Sequence, residues 1–189
     1  MDEVVPRSAA ELEAGLSEVV GAPRRTGTVL AIAVRPAVDR RELVDEAMID
    51  VDEGVVGDTW RSRGRADPKA QVTVMNARFA RLIAGDEVDR WALAGDQLYV
   101  DLDLSAEHLP PGTRLSIGDA VLEVSGKPHT GCAKFSARFG VDALRSVGSP
   151  EGSALRLRGM NTRVITGGAV CVGDEIQVTS VSSEPVSGR

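Results

Sequence analysis

Short apolar runs separated by glycine-containing turns are the feature that most limits the folds open to this chain. The runs are too short for long helices, and several alternate between apolar and polar residues. Many short strands with glycine-rich turns and few helices predict a mainly β, α+β fold. Its sheet is expected to be strongly bent or closed into a barrel, with a few peripheral helices. The principal runs are TVLAIAV (28–34), LVDEAMIDV (43–51), QVTVM (71–75) and QLYVDLDL (97–104).

Two later stretches resemble each other and each predicts a hairpin. They are RLSIGDAVLEVSG (114–126) and AVCVGDEIQVTSV (169–181). In both, an apolar strand is followed by Gly-Asp and then by an alternating strand. Gly-Asp between two such strands is typical of a tight turn.

Two helices and the domain organisation also follow from local signals. Ser8 and Glu11 form a capping box before a helical apolar pattern, which predicts an N-terminal helical extension over 1–26. This extension is expected to pack on the main domain, although it could instead contact a partner. Asn76 can cap a second helix that ends at Gly85. We expect one main domain over 27–180 and a flexible tail over 181–189.

Composition excludes several classes of function. A net charge of −6 argues against a general nucleic-acid binder, and 3% aromatic residues argue against base-stacking platforms. The chain lacks an apolar signal core and a membrane-length run, so a cytoplasmic protein without membrane contact is expected. With two cysteines, two histidines and neither CxxC nor HExxH, a zinc site is not expected.

The segment KPHTGCAKFSARFG (127–140) is the candidate site. Phe135 and Phe139 lie four residues apart, as do Lys134 and Arg138. This spacing, followed by a glycine, predicts two turns of amphipathic helix with the aromatic rings facing the core.

Cys132 is then expected at the N-terminus of that helix. Unpaired backbone N–H groups, together with Lys127, His129 and Lys134, would favour the thiolate form. Such a thiolate could act as a nucleophile, carry sulfur or ligate a soft metal. The alternative is that Cys132 is a small buried apolar residue. Cys171, in an apolar run, is expected to be part of the core.

Two other segments carry arginines that could bind a phosphate or line a pocket. The stretch 57–70 is rich in arginine and glycine and is predicted to be a loop; a solvated surface loop is the alternative. In ALRLRGMNTRVITGG (154–168), arginines alternate with leucines, which predicts a bent strand at the mouth of a pocket. The candidate cofactor-binding residues are Asp58, Arg61, Arg63, Arg138, Arg158, Asn161 and Arg163.

The order of these motifs resembles that of the MOSC family, a domain also found at the C-terminus of molybdenum-cofactor sulfurases. The cysteine motif, HTGCAKFSARFG, is similar to that of a stand-alone bacterial branch. The match covers roughly residues 27–180. Its pieces are GVVGDTW (54–60), QVTVMNARFARLI (71–83), GDQLYVDLDLS (95–105), LSIGDAVLEVSG (116–126) and RVITGGAVCVGDEIQV (163–178).

The resemblance implies a β-barrel-like fold in which Cys132 matches the family's characteristic cysteine. It implies that this residue carries sulfur as a persulfide or ligates the molybdenum of a pterin cofactor. A cysteine desulfurase or an electron-transfer protein would then be a partner. Family labels that mention pyridoxal phosphate are attributed to the desulfurase domain of the larger sulfurases, and no lysine here stands out as a Schiff-base former.

Two departures distinguish this chain from many relatives. His129-Thr130-Gly131-Cys132 replaces a Pro-Cys preceded by arginine, and Gly95-Asp96-Gln97 replaces Gly-Glu-Asn.

The functional hypothesis is a molybdenum-cofactor-associated or sulfur-carrier protein that uses Cys132. Two alternatives are a molybdenum-dependent reductase of N-hydroxylated substrates and a non-catalytic module that binds an anion or cofactor.

Overall fold

The computed structural model describes residues 5–64 and 66–180, except for the side chain of Arg63. The predicted tail at 181–189 lies outside these residues. No helix among them is long and apolar enough to cross a membrane. The strands are β1 (Thr26–Val34), β2 (Glu42–Val44), β3 (Glu46–Asp50), β4 (Gly54–Val55), β5 (Val72–Asn76), β6 (Leu98–Asp101), β7 (Arg114–Ile117), β8 (Ala120–Val124), β9 (Met160–Thr166), β10 (Gly168–Cys171) and β11 (Glu175–Ser180). The helices are α1 (Ala9–Val20), α2 (Ala77–Ala84), α3 (Val88–Trp91), α4 (Ala133–Phe139), α5 (Val141–Gly148) and α6 (Pro150–Ala154), and 3₁₀ turns lie at Arg61–Arg63, Pro68–Ala70 and Ala92–Ala94.

Seven strands close into a barrel in the order β11-β7-β8-β9-β5-β6-β1. Closure occurs where β1 pairs with β11, with Thr26 opposite Gln177 and Thr28 opposite Glu175. In the described chain β5 and β6 form the one parallel pair, because α2 connects them and returns the chain to the same end of the sheet. β2 extends the sheet beyond β1. The predicted mainly β fold, with a closed barrel and peripheral helices, is confirmed.

Alternation along β6 separates the interior of the barrel from its helical cover. Leu98 and Val100, with Leu102 and Leu104 beyond the strand, belong to the buried cluster inside the barrel. Tyr99 belongs to a second buried cluster, which the helices share with the outer face of the sheet. The apolar residues at alternate positions from 98 to 104 therefore line the inside of the barrel.

A bulge in β1 changes this alternation. The register against β6 shifts between Val29 and Ala31. Val29 and Ile32 consequently pack inside the barrel, whereas Ala31 and Ala33 pack under the helices.

One of the two expected hairpins is confirmed and the other is wrong. β7 and β8 pair directly across the Gly118-Asp119 turn, with Ile117 opposite Ala120. The Gly173-Asp174 turn also forms, but β10 pairs with β3 in a separate three-stranded sheet and β11 pairs with β1 and β7. The turn sequence fixes the local reversal, whereas contacts with distant strands decide the pairing.

The helices form a layer on one side of the barrel. The predicted capping box is present at Ser8, and α1 buries Leu12 and Val19. α1 lies against α2 so closely that a Cβ on Gly15 would be 2.3 Å from Leu82 Cδ1. Asn76 caps the N-terminus of α2 and Gly85 caps its C-terminus, as expected. This layer supports α4, α5 and α6, which carry the candidate site.

Candidate functional site

The loop that leads from β8 to α4, residues 125–132, is called the cysteine loop. Two hydrogen bonds hold its middle, because Asn161 Nδ2 on β9 donates to the carbonyl oxygens of Lys127 and Pro128, both at 3.1 Å. Gly131 lies where a Cβ would be 2.5 Å from Leu144 Cδ1 of α5. Cys132 follows as the N-cap residue of α4, and it is exposed. The predicted position of Cys132 at a helix N-terminus is therefore observed, and the buried alternative is not.

The two phenylalanines of α4 anchor that helix as the sequence indicated. Phe135 and Phe139 are buried, with ring centroids 5.0 Å apart. The guanidinium of Arg158 stacks over the Phe135 ring at 5.2 Å. The helix that begins at Cys132 is thus fixed through apolar packing and a cation–π contact.

A buried polar cluster lies beneath the cysteine loop. Arg158 Nη1 donates to Asp96 Oδ2 at 2.5 Å and Nη2 donates to the carbonyl oxygen of Ala94 at 2.8 Å. His129 Nδ1 lies 3.4 Å from Asp96 Oδ1. Each of these two atoms is buried without a hydrogen-bond partner, and so is Arg158 Nε.

Burial decides the charge of His129. It lowers the pKa of the ring to about 4, although the carboxylate of Asp96 acts in the opposite direction. His129 is therefore neutral at neutral pH, and the expectation that it adds a positive charge beside the thiol is wrong. The reason is that the residue turns inward toward Asp96, with its side chain 16% exposed.

The cationic side chains expected around Cys132 each lie close to an acidic partner. They are Lys127, Lys134 and Arg138. Lys127 Nζ lies 2.7 Å from Asp67 Oδ2, and Lys134 Nζ lies 2.6 Å from Asp39 Oδ1. Arg138 donates to the carbonyl oxygen of Leu93 at 2.6 Å and lies 3.7 Å from the same Asp39 oxygen. Since Lys134 and Arg138 share one carboxylate, the side of α4 that carries them keeps an excess of positive charge.

A cavity of about 360 Å³ opens beside the cysteine loop, and it is called the cysteine-loop cavity. Residues 125–131 form one wall, so Cys132 comes immediately after the last loop residue in that wall. Pro111, the ends of α5 and α6, and the chain that leads into β9 form the remainder. This second part of the lining consists of Pro111, Val147, Gly148, Gly152, Ser153, Arg156, Arg158, Gly159 and Met160.

The chain before β9 is not the strand predicted from alternating arginine and leucine. Ser149 caps α6 and Pro150 occupies its first turn, so residues 155–159 form a turn after a helix. Arg156 adopts a left-handed backbone with φ 49°, and Gly159 has φ 94°. Helix-initiation signals at 149–150 therefore override the alternation, and they were available in the sequence.

Several predicted cofactor contacts lie outside the cysteine-loop cavity. Both oxygens of Asp58, whose side chain is buried, accept hydrogen bonds from Arg35, at 2.7 and 3.0 Å, and Oδ1 also accepts from the Trp60 amide. Arg61 donates to the carbonyl oxygen of Asp52, and the side chain of Arg63 lies outside the described residues.

Arg163 also lies away from this cavity. It is half-exposed and pairs with Glu123 at 2.8 Å. It lines a neighbouring cavity together with Lys127. Of the predicted cofactor-binding residues, Arg158 lines the cysteine-loop cavity and Asn161 fastens its wall.

Asp96 and Gln97 were missed as site residues by sequence reasoning. Asp96 is fully buried in the polar cluster. Gln97 joins β5 to β6 by accepting from the Thr73 amide at 2.9 Å. The sequence does contain a signal for their burial. Asp96 and Gln97 directly precede the apolar run 98–100, so they are expected to be buried with it and to have hydrogen-bond partners.

The remaining cysteine contrasts with Cys132. Cys171 lies in β10 and is partly exposed, so the expectation of a core residue is wrong. Desolvation, followed by the nearby carboxylates of Glu46 and Asp174, raises the pKa of the Cys171 thiol. Its protonated form is therefore favoured at neutral pH.

The side chains available as ligands limit how the protein could bind a metal ion. In residues 5–64 and 66–180, no group of three or more His, Cys, Asp or Glu side chains is arranged to hold a metal ion. A metal at Cys132 would therefore need its other ligands from a cofactor. The exposed sulfur and the arginine-lined cavity next to the loop fit a soft metal carried by an anionic organic ligand.

Comparisons with known proteins agree with the fold. The solved structure of YuaD from Bacillus subtilis has a TM-score of 0.59 and 18% identity, covering 85% of this chain and 100% of that chain. YiiM from Escherichia coli has a TM-score of 0.56 and 19% identity, covering 83% of this chain and 72% of that chain. YiiM from Geobacillus stearothermophilus has a TM-score of 0.55 and 14% identity, covering 82% and 75%. No curated protein sequence matches the chain. A family model described as the MOSC domain matches residues 68–177, more than half of the chain, and the chain therefore belongs to the MOSC domain family.

Proposed function

We propose that this MOSC protein works in molybdenum-cofactor chemistry through Cys132, which accepts sulfane sulfur from a persulfide donor. The observation that carries the proposal is an exposed thiol on a firmly held loop. Asn161 fastens the loop to the barrel, Gly131 packs it on α5, and the cation-rich α4 begins at the thiol itself. Such an arrangement presents the sulfur to a second macromolecule while restricting its movement.

The reaction proposed for Cys132 is thiol exchange on a donor persulfide. The Cys132 thiolate attacks the outer sulfur of the donor, and a new S–S bond forms on Cys132. The donor's own S–S bond breaks, and its inner sulfur leaves as a thiolate. Sulfur moves without net oxidation or reduction, so the step requires no further electron carrier.

The same residues would also suit the binding of a molybdenum cofactor. Cys132 would supply a soft ligand, and Arg158 with the wall of the cysteine-loop cavity would hold an anionic group. When bound, the cofactor would supply the redox chemistry that the chain's own side chains lack. The role of the chain would be to position the cofactor and to present Cys132.

Sulfur loading tests the proposal directly. The purified protein is incubated with a cysteine desulfurase and cysteine, and its intact mass is measured before and after reduction. We expect one reducible sulfur atom on the wild type and none on Cys132→Ala. Cys171→Ala is the matched control and should load like the wild type, because its thiol is held in the protonated form.

Two results would contradict the carrier function. One is wild-type protein that gains no sulfur, and the other is equal gain by Cys132→Ala. Metal analysis of protein from a host that makes the cofactor separates the remaining alternatives. Molybdenum that is retained by the wild type and lost in Cys132→Ala, without sulfur loading, would assign Cys132 to metal ligation instead.

A further inference from the structure

The small sheet β4-β3-β10 packs one face on the barrel core and leaves its other face, called the outer face, open to solvent. Its inner face carries Ala47, Ile49, Val55 and Val170, which belong to the buried cluster inside the barrel. Because side chains alternate along a strand, the residues between these point away from the barrel. Met48, between Ala47 and Ile49, is accordingly 50% exposed.

The small sheet lies away from the cysteine loop. The amide of Asp119, directly before β8, donates to the carbonyl oxygen of Ala169 in β10 at 3.0 Å. The cysteine loop leaves β8 at its other end, after Val124. A strand of five residues is about 13 Å long. The small sheet and the cysteine loop are therefore joined to opposite ends of β8.

Apolar side chains form one row across the outer face. The amide of Val56 donates to the carbonyl oxygen of Met48 at 2.9 Å, and Met48 lies opposite Ala169 of β10. Nine large apolar side chains are exposed in the described chain, and five of them lie in or close to the strands of this sheet, namely Leu43, Met48, Val51, Val56 and Val172. Exposed apolar side chains that are gathered on one surface, rather than scattered singly, mark interaction sites.

Carboxylates surround this apolar row. Residues 43–56 and 168–174 contain six acidic residues and no lysine, arginine or histidine. Asp119, beside Ala169, adds a seventh carboxylate. No ion pair joins any of the seven to a side chain in the part of the chain that the structure describes. The seven are Asp45, Glu46, Asp50, Asp52, Glu53, Asp119 and Asp174.

The thiol of Cys171 reports the negative potential of the outer face. Cys171 lies opposite Glu46 across the β3–β10 pair. After desolvation, the carboxylates of Glu46, Asp174 and Asp119 raise the pKa of this thiol. Acidic side chains from three separate segments therefore act together at one surface.

This combination of charge and apolar surface limits what can bind. Nucleic acids and anionic membranes would be repelled. A second copy of the chain would bring the same carboxylates together, because a two-fold contact pairs a surface with itself. In residues 5–64 and 66–180, no group of three or more His, Cys, Asp or Glu side chains is arranged to hold a metal ion. A basic protein surface satisfies both the charge and the apolar row.

We propose that the outer face of β4-β3-β10 is a docking surface for a partner protein that presents lysine or arginine side chains around an apolar residue. The apolar residue contacts Met48 and Val56 and removes them from water, and the cations lie against the surrounding carboxylates. The charges also speed the encounter of the two proteins in a manner that depends on salt. This inference does not rest on the sulfur chemistry of Cys132.

A synthetic helical peptide with leucines on one side and lysines on the other serves as the probe of the full chain. Its binding is followed by calorimetry at low and at physiological salt. We expect binding that weakens as salt rises, and none by a matched peptide in which glutamate replaces lysine. A peptide that keeps the lysines but has serine in place of leucine should bind about tenfold more weakly, because the apolar contact is lost.

Matched variants locate the contact on the protein. Val56→Thr combined with Met48→Gln should weaken binding about tenfold, whereas Val20→Thr, at another exposed valine, should not change it. Glu46→Gln should weaken binding about twofold, whereas Glu13→Gln, at an exposed glutamate of α1, should have no effect. All five side chains are exposed, and urea unfolding checks that each variant folds.

Alkylation of the two cysteines localises the peptide on the unsubstituted protein. Bound peptide should protect Cys171 from iodoacetamide, because this residue lies on the outer face. Cys132 should react as fast as it does in the free protein. Mass spectrometry of the digested protein measures both cysteines in the same sample.

Four results would overturn the inference. They are no binding by the leucine–lysine peptide, equal binding by the glutamate peptide, unchanged affinity in the Met48→Gln, Val56→Thr variant, and protection of Cys132 in place of Cys171. Sedimentation of the protein alone tests the other occupant. Self-association that is lost in the same double variant would assign the outer face to a second copy and refute a basic partner. Sulfur loading of Cys132 is measured separately, so its failure would refute the proposed function and leave this inference standing.

Discussion

The buried carboxylate of Asp96 organises the side chains beneath the cysteine loop. It neutralises Arg158, which in turn stacks on Phe135 of α4, and it faces the ring of His129. Removing one member of a buried ion pair leaves an uncompensated charge, which typically costs about 3–5 kcal/mol. The position of α4, and with it that of Cys132, therefore depends on a residue that does not contact the thiol.

His129 should make the protein less stable as the pH falls. The unfolded chain takes up a proton near the ordinary histidine pKa, whereas the folded protein resists protonation until about pH 4. Between these values the unfolded state binds more protons, so the free energy of unfolding decreases with decreasing pH. We expect a contribution on the order of 2 kcal/mol, because the ring is largely buried.

Urea unfolding at pH 7.5 and at pH 4.5 measures this contribution in the wild type and in His129→Asn. The charged groups that face His129, which are Asp96, Arg158 and Arg35, are present in both proteins. The difference between the two pH dependences therefore isolates His129. Parallel pH dependences in the two proteins would show that the ring is not held neutral.

At this scale the sequence predicts local features better than distant ones. The helix after Cys132 and the inward phenylalanines follow from spacing within seven residues. The acidic partners of Lys127, Lys134 and Arg158 lie 60, 95 and 62 residues away in the chain. No local pattern identifies such partners, and without them the charge of the site cannot be assigned.

At the scale of elements, helix ends are set by side chains that also join the helix to the sheet. Asn76 Oδ1 accepts from the amides of Arg78 and Phe79, at 2.8 and 3.3 Å. Its Nδ2 donates to the carbonyl oxygen of Leu102 at 2.9 Å. One buried side chain thus starts α2 and binds it to the chain after β6.

Asn76→Ala should therefore be more destabilising than loss of an ordinary cap. Removing a cap costs about 1 kcal/mol, and the buried carbonyl oxygen of Leu102 would also lose its donor. We expect a loss of roughly 2–3 kcal/mol in the free energy of unfolding. Ser8→Ala, which removes the exposed cap of α1, is the control and should cost about 1 kcal/mol. Equal losses in the two variants would show that the contact with Leu102 contributes nothing.

The two Gly-Asp stretches show where element-level prediction stops. Both turns were predicted, but only β7 and β8 continue as a hairpin. β10 instead meets β3, with Val170 opposite Ala47. The sequence specifies a reversal through residues that are adjacent in the chain. It does not specify which of several apolar strands lies alongside after the reversal, because any of them could bury the same face.

At the scale of the whole molecule, the barrel closes where β1 meets both β6 and β11. Gly27 lies at this junction, opposite Ile176 of β11. A Cβ on Gly27 would lie 2.1 Å from the carbonyl oxygen of Asp101, and a backbone atom there cannot move without separating the strands. The closed barrel therefore requires glycine at this position.

Gly27→Ala should open or strain the junction and lower the free energy of unfolding by about 2–4 kcal/mol. The control is Gly148→Ala, because a Cβ there meets no atom within 4 Å. The control should be neutral or slightly stabilising, since it replaces glycine in a helix. Urea unfolding of both variants provides the comparison. A stable Gly27→Ala protein would mean that β1 and β6 are less closely paired than described.

The closure of the barrel also determines when folding can finish. β1 spans Thr26–Val34, and the strand that seals it, β11, spans Glu175–Ser180. During synthesis the edge of β1 therefore stays uncovered until β11, which contains nearly the last described residues of the chain, has been made. Pairing over such a separation in sequence slows folding, and an uncovered edge can pair with other chains. A ribosome that stalls before Glu175 would release a chain with two open edges, at β1 and β7, and such a chain would be a substrate for chaperones or a seed for aggregation.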